Sequence, residues 1–205
     1  MNQKRIRKTE LNLVVGNNGS GKSTWLKKNV IEKAKKALIV TPHSHEWKQY
    51  PTISTAKEIR QLQGIARLIY CEGEEILEKI NENFYGGVLV LDDAPDYLSE
   101  QTPKVLNKIY VGRRQRGIDI YFVGQGMRRI PPKAFTYISF LILFNTTENF
   151  IERKKDILPD LFDKIVEAQK ELAKLNLQGN THEYRIFLFD QQIRGEYVRQ
   201  AKQTK

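Results

Sequence analysis

The sequence predicts an α/β fold: a mainly parallel central sheet flanked by helices on both faces, with a C-terminal β-hairpin. Three observations carry this expectation. Short apolar runs, Leu11 to Val15, Ala37 to Thr41, Ile65 to Cys71, Val88 to Leu91, Ile118 to Val123 and Tyr137 to Phe144, alternate with stretches of helical periodicity. Strands apolar on nearly every residue must be buried on both sides, which a parallel sheet achieves through helical crossovers. Three of the runs also stop in polar chemistry, at Gly16 to Ser23, at Asp92-Asp93 and at Gln125. In such sheets ligands bind beyond the carboxyl ends of the strands.

The first run drives into Gly16-Asn17-Asn18-Gly19-Ser20-Gly21-Lys22-Ser23, followed by Thr24, which satisfies G-x-x-x-x-G-K-[ST] in full. That is a phosphate-binding P-loop. Its glycines let backbone N–H groups close round a polyphosphate, Lys22 reaches the β- and γ-phosphates, and Ser23 ligates Mg²⁺. The helix that follows points its positive end at the anion. The expected cofactors are therefore ATP and Mg²⁺. Lys22 to Lys36 places Trp25, Leu26, Val30, Ile31 and Ala34 on one helix face, and Ala37 to Thr41 is a buried strand closed by Pro42. A polar loop through His43, His45, Trp47 and Tyr50 follows. No carboxylate or cysteine pattern makes a metal site of His43, His45 and the remote His182.

Ala56 to Gln63 reads as a short helix, Ile65 to Cys71 as a strand, and Glu74 to Phe84 as an amphipathic helix ended by Gly86-Gly87. Val88 to Leu91 then stops in Asp92-Asp93, the form of a Walker B strand. The first acid of such a pair helps hold Mg²⁺ and the second polarises the attacking water. Read alone, the pair is equally a turn; the P-loop upstream favours the functional reading. Leu98 to Val111 is helical in pattern, with Pro103 at a helix start. The arginines of GRRQRG, Arg113, Arg114 and Arg116, stand before the strand Ile118 to Val123. They suit charge stabilisation at a neighbouring subunit's γ-phosphate, a basic surface turn, or contact with nucleic-acid phosphate. Gln125 ends that strand and can hydrogen-bond the attacking water or the γ-phosphate. Arg128 to Pro132 makes a basic turn, Tyr137 to Phe144 a long buried strand, and Pro159 to Leu175 an amphipathic helix broken at Gly179-Asn180. Tyr184 to Phe189 and Ile193 to Val198 read as the terminal hairpin.

A chain of 205 residues suits one domain, with a core over about 10–150, a helix and hairpin over 151–198 and a basic tail over 199–205. The single cysteine, Cys71, offers no disulfide framework and suits a reducing cytoplasm. The longest apolar run falls far short of the ~20 residues that span a bilayer, so no stable membrane insertion is expected. The charged N-terminus leads into too short an apolar run for a signal peptide. A net charge of +10 favours a polyanionic partner.

The segment Arg113 to Gln125, RRQRGIDIYFVGQ, resembles the FtsK/HerA superfamily of DNA-pumping ATPases. With the P-loop, the Asp92-Asp93 strand and the small size, it is most similar to the viral genome-packaging ATPases of membrane-containing and related double-jelly-roll viruses. The resemblance covers most of Leu11 to Asn145 and implies a RecA-like P-loop NTPase core. It implies that Lys22 and Ser23 are the Walker A lysine and Mg²⁺ ligand and that Asp92 is the Walker B acid. Asp93 stands where the family has a catalytic glutamate, one methylene longer. Gln125 matches the polar sensor, and Arg114 the trans-acting arginine finger, with Arg113 and Arg116 as near alternatives. The resemblance further implies a homo-oligomeric ring, pentamer or hexamer, passing DNA through a channel for which Arg128, Arg129 and Lys133 are candidate contacts. A viral capsid or portal vertex is the implied partner, reached from the host cytoplasm.

The expected function is an ATP-driven motor that packages viral DNA, single or double stranded, into a preformed capsid. An assembly ATPase related to zonula occludens toxin is the nearest alternative, but such proteins carry a transmembrane segment. An ABC-type ATPase would need an LSGGQ-like signature between the P-loop and Asp92, and none is present. Asp93 in place of glutamate leaves open a protein that binds ATP and DNA without turnover.

Overall fold

The computed structural model describes residues 9–70, 75–93, 103–126, 130, 135–148, 161–189 and 198–199. Their apolar runs gather into one eight-stranded sheet. The strands are β1 (Leu11–Val15), β2 (Lys36–Thr41), β3 (Gly64–Ile69), β4 (Gly87–Leu91), β5 (Ile118–Gly124), β6 (Phe140–Phe144), β7 (Tyr184–Leu188) and β8 (Val198–Arg199), in the order β3-β2-β4-β5-β1-β6-β7-β8. Every pairing from β3 to β6 is parallel. β7 runs antiparallel to β6, and β8 antiparallel to β7 through Phe187↔Val198. Burial follows position. The inner strands β1, β2, β4, β5 and β6 are buried almost continuously, whereas the outer β3 and β7 alternate. A strand covered on both faces has no use for alternation.

Alternate residues of each strand feed different cores. Leu13, Leu38, Leu89, Phe122 and Leu143 pack beneath α2 (Ala56–Gln61), α3 (Glu75–Asn83), α4 (Pro103–Arg116) and α5 (Phe162–Leu177). Val14, Ile39, Val90 and Ile142 pack with Leu26, Val30 and Ile31 of the first helical segment and with Trp47. Helices therefore cover both faces, four on one and a single segment on the other among the described residues. No described helix is long and apolar enough to cross a membrane.

Several boundaries differ from those expected. The helix expected over Lys22 to Lys36 is α1 (Lys22–Leu26) continued by a π-helical turn, Lys27–Ile31. The wider turn, with Glu32 N donating to Lys27 O at 3.0 Å, brings Ile31 onto the face of Leu26. Lys36 belongs to β2 instead, its ammonium donating to Tyr85 O at 2.9 Å and lying 4.9 Å from the centre of the Phe84 ring. α2 stops at Gln61 and β3 at Ile69, each two residues early, and β6 begins only at Phe140. Helix α4 runs through the arginines to Arg116 and is ended by Gly117, φ 66°. Its start at Pro103 fits the first turn of a helix, where the missing N–H costs nothing. Arg128, Arg129, Lys133, Cys71, the N-terminal basic run and the tail over 200–205 lie outside the described residues.

Candidate active site

The P-loop leaves β1 pinned to its neighbours. Gly16 N donates to Gly124 O of β5 at 3.2 Å, and Asn17 N to Asn145 O beyond β6 at 2.8 Å. The Asn17 side chain accepts from Thr147 N at 3.2 Å, and the Thr146 hydroxyl donates to Gln125 O at 3.0 Å. Gly16 is required by contact: a Cβ there would stand 2.5 Å from Phe144 Cβ. Gly21 is required by conformation, with φ 98°. Lys22 is buried, and its ammonium bridges Gly16 O at 2.7 Å and Asn17 O at 2.9 Å. Burial lowers its pKa, opposed by the charges of Asp93, Asp92 and Glu46.

A cleft of about 530 Å³ opens over this loop at the carboxyl edge of the sheet. Asn18, Gly19, Gly21, Lys22, Ser23 and Thr24 form one wall, Asp92, Asp93 and Gln125 another. Strand order explains the convergence, because β4, β5 and β1 are successive neighbours. Asp92 is 3% exposed. Its Oδ2 accepts Trp47 Nε1–H at 2.6 Å. Burial pushes its carboxyl up to about 7; the Trp47 hydrogen bond pulls the other way, Asp93 and Glu46 add to the rise, and Lys22 reduces it. Asp93 has left-handed backbone, φ 47°, and its Oδ2 lies 3.3 Å from His43 Nε2.

The expected site residues of the P-loop, the Asp92-Asp93 pair and Gln125 are thus brought together, with Gly16, Asn17 and Ser20 behind the cleft wall. The arginines are not among them. They stand at the amino end of β5, a strand of seven residues and so about 20 Å from Gln125 at the other end. Arg113 is buried, donating to Tyr110 O at 2.6 Å and Tyr137 O at 3.5 Å, with its guanidinium 5.8 Å from the centre of the Tyr137 ring. Arg116 donates to Asn81 O at 2.6 Å and Lys108 O at 3.0 Å. Arg114 is exposed in the last turn of α4.

Four cleft groups escape motif reasoning. His43, His45 and Glu46 come from the loop after β2, whose strand lies next to β4. His182 comes from the turn before β7. Because β7 is antiparallel, its amino end lies at the sheet's carboxyl edge. The His182 ring packs over Gly21, where a Cβ would stand 3.2 Å from Nδ1. The rule that ligands bind beyond strand carboxyl ends flags the loop after β2, once that strand is known to border β4.

The donor set fits a polyphosphate with a divalent cation. Three carboxylates, Glu46, Asp92 and Asp93, face one lysine; burial is the main cause of the raised Asp92 pKa, and the charges of Asp93 and Glu46 add to it. Among the described residues no group of three His, Cys, Asp or Glu side chains could hold a metal by itself. Ser23, Asp92, water and phosphate oxygens together make the kind of shell Mg²⁺ takes.

No protein-family model and no curated protein matches the chain by sequence. Solved structures do match in shape. The genome packaging NTPase B204 from Sulfolobus turreted icosahedral virus 2, in complex with AMPPCP, superposes with TM-score 0.71 at 17% identity, over 95% of this chain and 97% of that one. B204, the DNA-packaging ATPase from Sulfolobus turreted icosahedral virus, gives 0.64 at 16% identity, over 96% and 98%. The chain has the P-loop NTPase fold of these proteins. The cytoplasmic domain of the type VII secretion ATPase EccC from Thermomonospora curvata is more distant, with TM-score 0.50 at 13% identity over 89% of this chain and 24% of that one. Within the P-loop NTPase fold, the cleft lies where the loops after β1, β4 and β5 meet.

Proposed function

We propose that the chain is a single-domain ATPase subunit of a homo-oligomeric ring that drives DNA into a preformed viral capsid. One observation carries this reading: Lys22, buried Asp92 and Gln125 converge on one cleft, in a fold that matches packaging NTPases over nearly the full length of both chains. Lys22, released from the Gly16 and Asn17 carbonyls, meets the β- and γ-phosphates, while the N–H groups of Asn18 to Thr24 cradle them. Mg²⁺, held by Ser23 and by Asp92, would offset the charge that builds on the β,γ oxygens. Gln125 hydrogen-bonds the γ-phosphate or the attacking water, and the water-polarising carboxylate comes from the Asp93 and Glu46 side of the cleft.

The arginines of α4 end at the wrong edge of their own sheet, so a finger drawn from them acts on a neighbour's nucleotide. Arg114 is our choice; Arg113 and Arg116 are tied to carbonyls of their own subunit. A net charge of +10 supports sequence-independent contact with a DNA backbone, since each phosphate neutralised releases counterions. The capsid or its portal vertex is the expected second partner.

The test is ATPase rate against protein concentration, with and without double-stranded and single-stranded DNA. Hydrolysis that rises with both, and that Lys22→Ala abolishes, is the expected result. A rate indifferent to DNA and to concentration overturns the motor. A second reading, nucleotide-gated DNA binding without turnover, is favoured by one observation, the engagement of the short Asp93 carboxylate by His43. Stoichiometric ATP binding with no phosphate release, even in assembled rings on DNA, supports it instead.

A further inference from the structure

We propose that Glu46, not Asp93, is the carboxylate that takes the proton of the attacking water. This deepens the ATPase reading above and rests on it. Among the described residues three carboxylates line the cleft, and two of them are committed elsewhere. Asp92 is buried and bonded to Trp47 Nε1–H at 2.6 Å, on the cation side of the cleft. Asp93 is one methylene short for the role, sits on left-handed backbone and has Oδ2 3.3 Å from His43 Nε2.

Glu46 differs on each count. It carries the longer side chain, it is half-buried at the cleft wall, and its carboxylate takes a long contact, 3.5 Å, from the Thr41 hydroxyl. Its charge acts on both Lys22 and Asp92, the residues that flank the γ-phosphate position. The backbone beneath it is held firmly. His43 N donates to Thr41 Oγ1 at 3.2 Å, and Glu46 N to His43 O at 3.2 Å. From β3 the Arg67 guanidinium reaches under the loop and donates to Ser44 O at 2.9 Å and to Glu46 O, while its Nε donates to Thr52 Oγ1 at 2.9 Å. A fixed backbone with a lightly engaged carboxylate is what a general base needs, because geometry must be set before the proton moves.

The water oxygen bonds to the γ-phosphorus as the bond to the β,γ-bridging oxygen breaks, and ADP leaves with that electron pair. Glu46 accepts the water proton and returns it to solvent or to the released phosphate.

The experiment compares wild type, Glu46→Gln, Glu46→Asp and Asp93→Asn in full-length protein with Mg²⁺. It reads equilibrium binding of a fluorescent ATP analogue, trapping of ADP with beryllium fluoride and with aluminium fluoride, and DNA-stimulated turnover. Glu46→Gln is expected to bind ATP within about 3-fold of wild type, to trap ADP–beryllium fluoride, to lose ADP–aluminium fluoride, and to turn over at least ~100-fold more slowly. Glu46→Asp recovers part of the rate, which also shows that the loop tolerates change. The loss in Asp93→Asn is at least about 10-fold smaller. Turnover of Glu46→Gln near the wild-type rate, or loss of its ATP binding, overturns the assignment. A wild type that binds ATP but never hydrolyses it overturns the ATPase reading itself, and with it this one.

Discussion

At Asp92 two requirements oppose each other. The metal-holding role proposed for Asp92 needs an ionised acid, yet burial holds its carboxyl at about 7 against an ordinary 3.8. The folded protein binds that proton more tightly than the unfolded chain does. The resulting stability is full below about pH 3.8 and is lost as pH rises through about 7. Nucleotide-free wild type is therefore expected to lose stability relative to Asp92→Asn between about pH 4 and pH 7, by up to a few kcal/mol. Paired thermal melts across that range measure it, and Mg²⁺ with ATP should flatten the difference. Trp47→Phe removes the one hydrogen bond described to this carboxylate, and we expect a loss of about 1–3 kcal/mol in chemical denaturation together with weaker Mg²⁺-dependent ATP binding. Lys22, Ser23, Asp92 and Gln125 were legible in the sequence because their chemistry lies in a local motif or at a strand end. His43, His45, Glu46 and His182 were not. Their place at the cleft depends on β2 lying beside β4 and on β7 reversing direction, which no local spacing encodes.

Among the elements, continuous apolar runs located the strands well because burial on both faces leaves an unmistakable pattern. The helices were harder. Hydrophobic periodicity stops at Val111, but α4 continues to Arg116 because Arg113 and Arg116 bury their stems and spend their N–H groups on nearby carbonyls. A buried arginine is invisible to a hydropathy pattern. Basic residues at a helix C-terminus also suit its dipole. The π-turn after Leu26 is equally hidden, since Leu26, Val30 and Ile31 look like an ordinary helix face. Where β2 and β4 pair, Gly87 has φ 114°, and a Cβ there would stand 2.5 Å from Lys36 O. We expect Gly87→Ala to cost at least about 2 kcal/mol, from strain and from the forced separation of these strands. Urea denaturation checks this, and an unchanged midpoint contradicts it.

For the whole molecule, the distance between the Arg114 end of β5 and the cleft end means that, in the ring proposed above, Arg114 could act only on a neighbour's nucleotide. Arg114→Ala is expected to keep ATP binding while losing turnover at every protein concentration. Lys22→Ala loses nucleotide instead. Mixing the two variants should restore part of the activity, because some interfaces then join an intact Lys22 to an intact Arg114. Turnover by Arg114→Ala alone removes that arginine from the mechanism. Sequence patterning foresaw the parallel core and the terminal hairpin. It did not reveal how unequally the described helices cover the two faces, because which side a crossover takes depends on packing between distant segments.

The antiparallel strand beside β6 also closes an otherwise open edge of the parallel sheet. Phe140–Phe144, FLILF, has no charge, no proline and strong β propensity, and every one of its residues is partnered by β7. A chain cut after Leu177 would leave that segment as a bare sheet edge, the kind that templates amyloid-like pairing. β7, held to α5 by the Arg185–Glu171 ion pair, covers that edge, and a chain cut after Leu177 is expected to aggregate where the full chain does not.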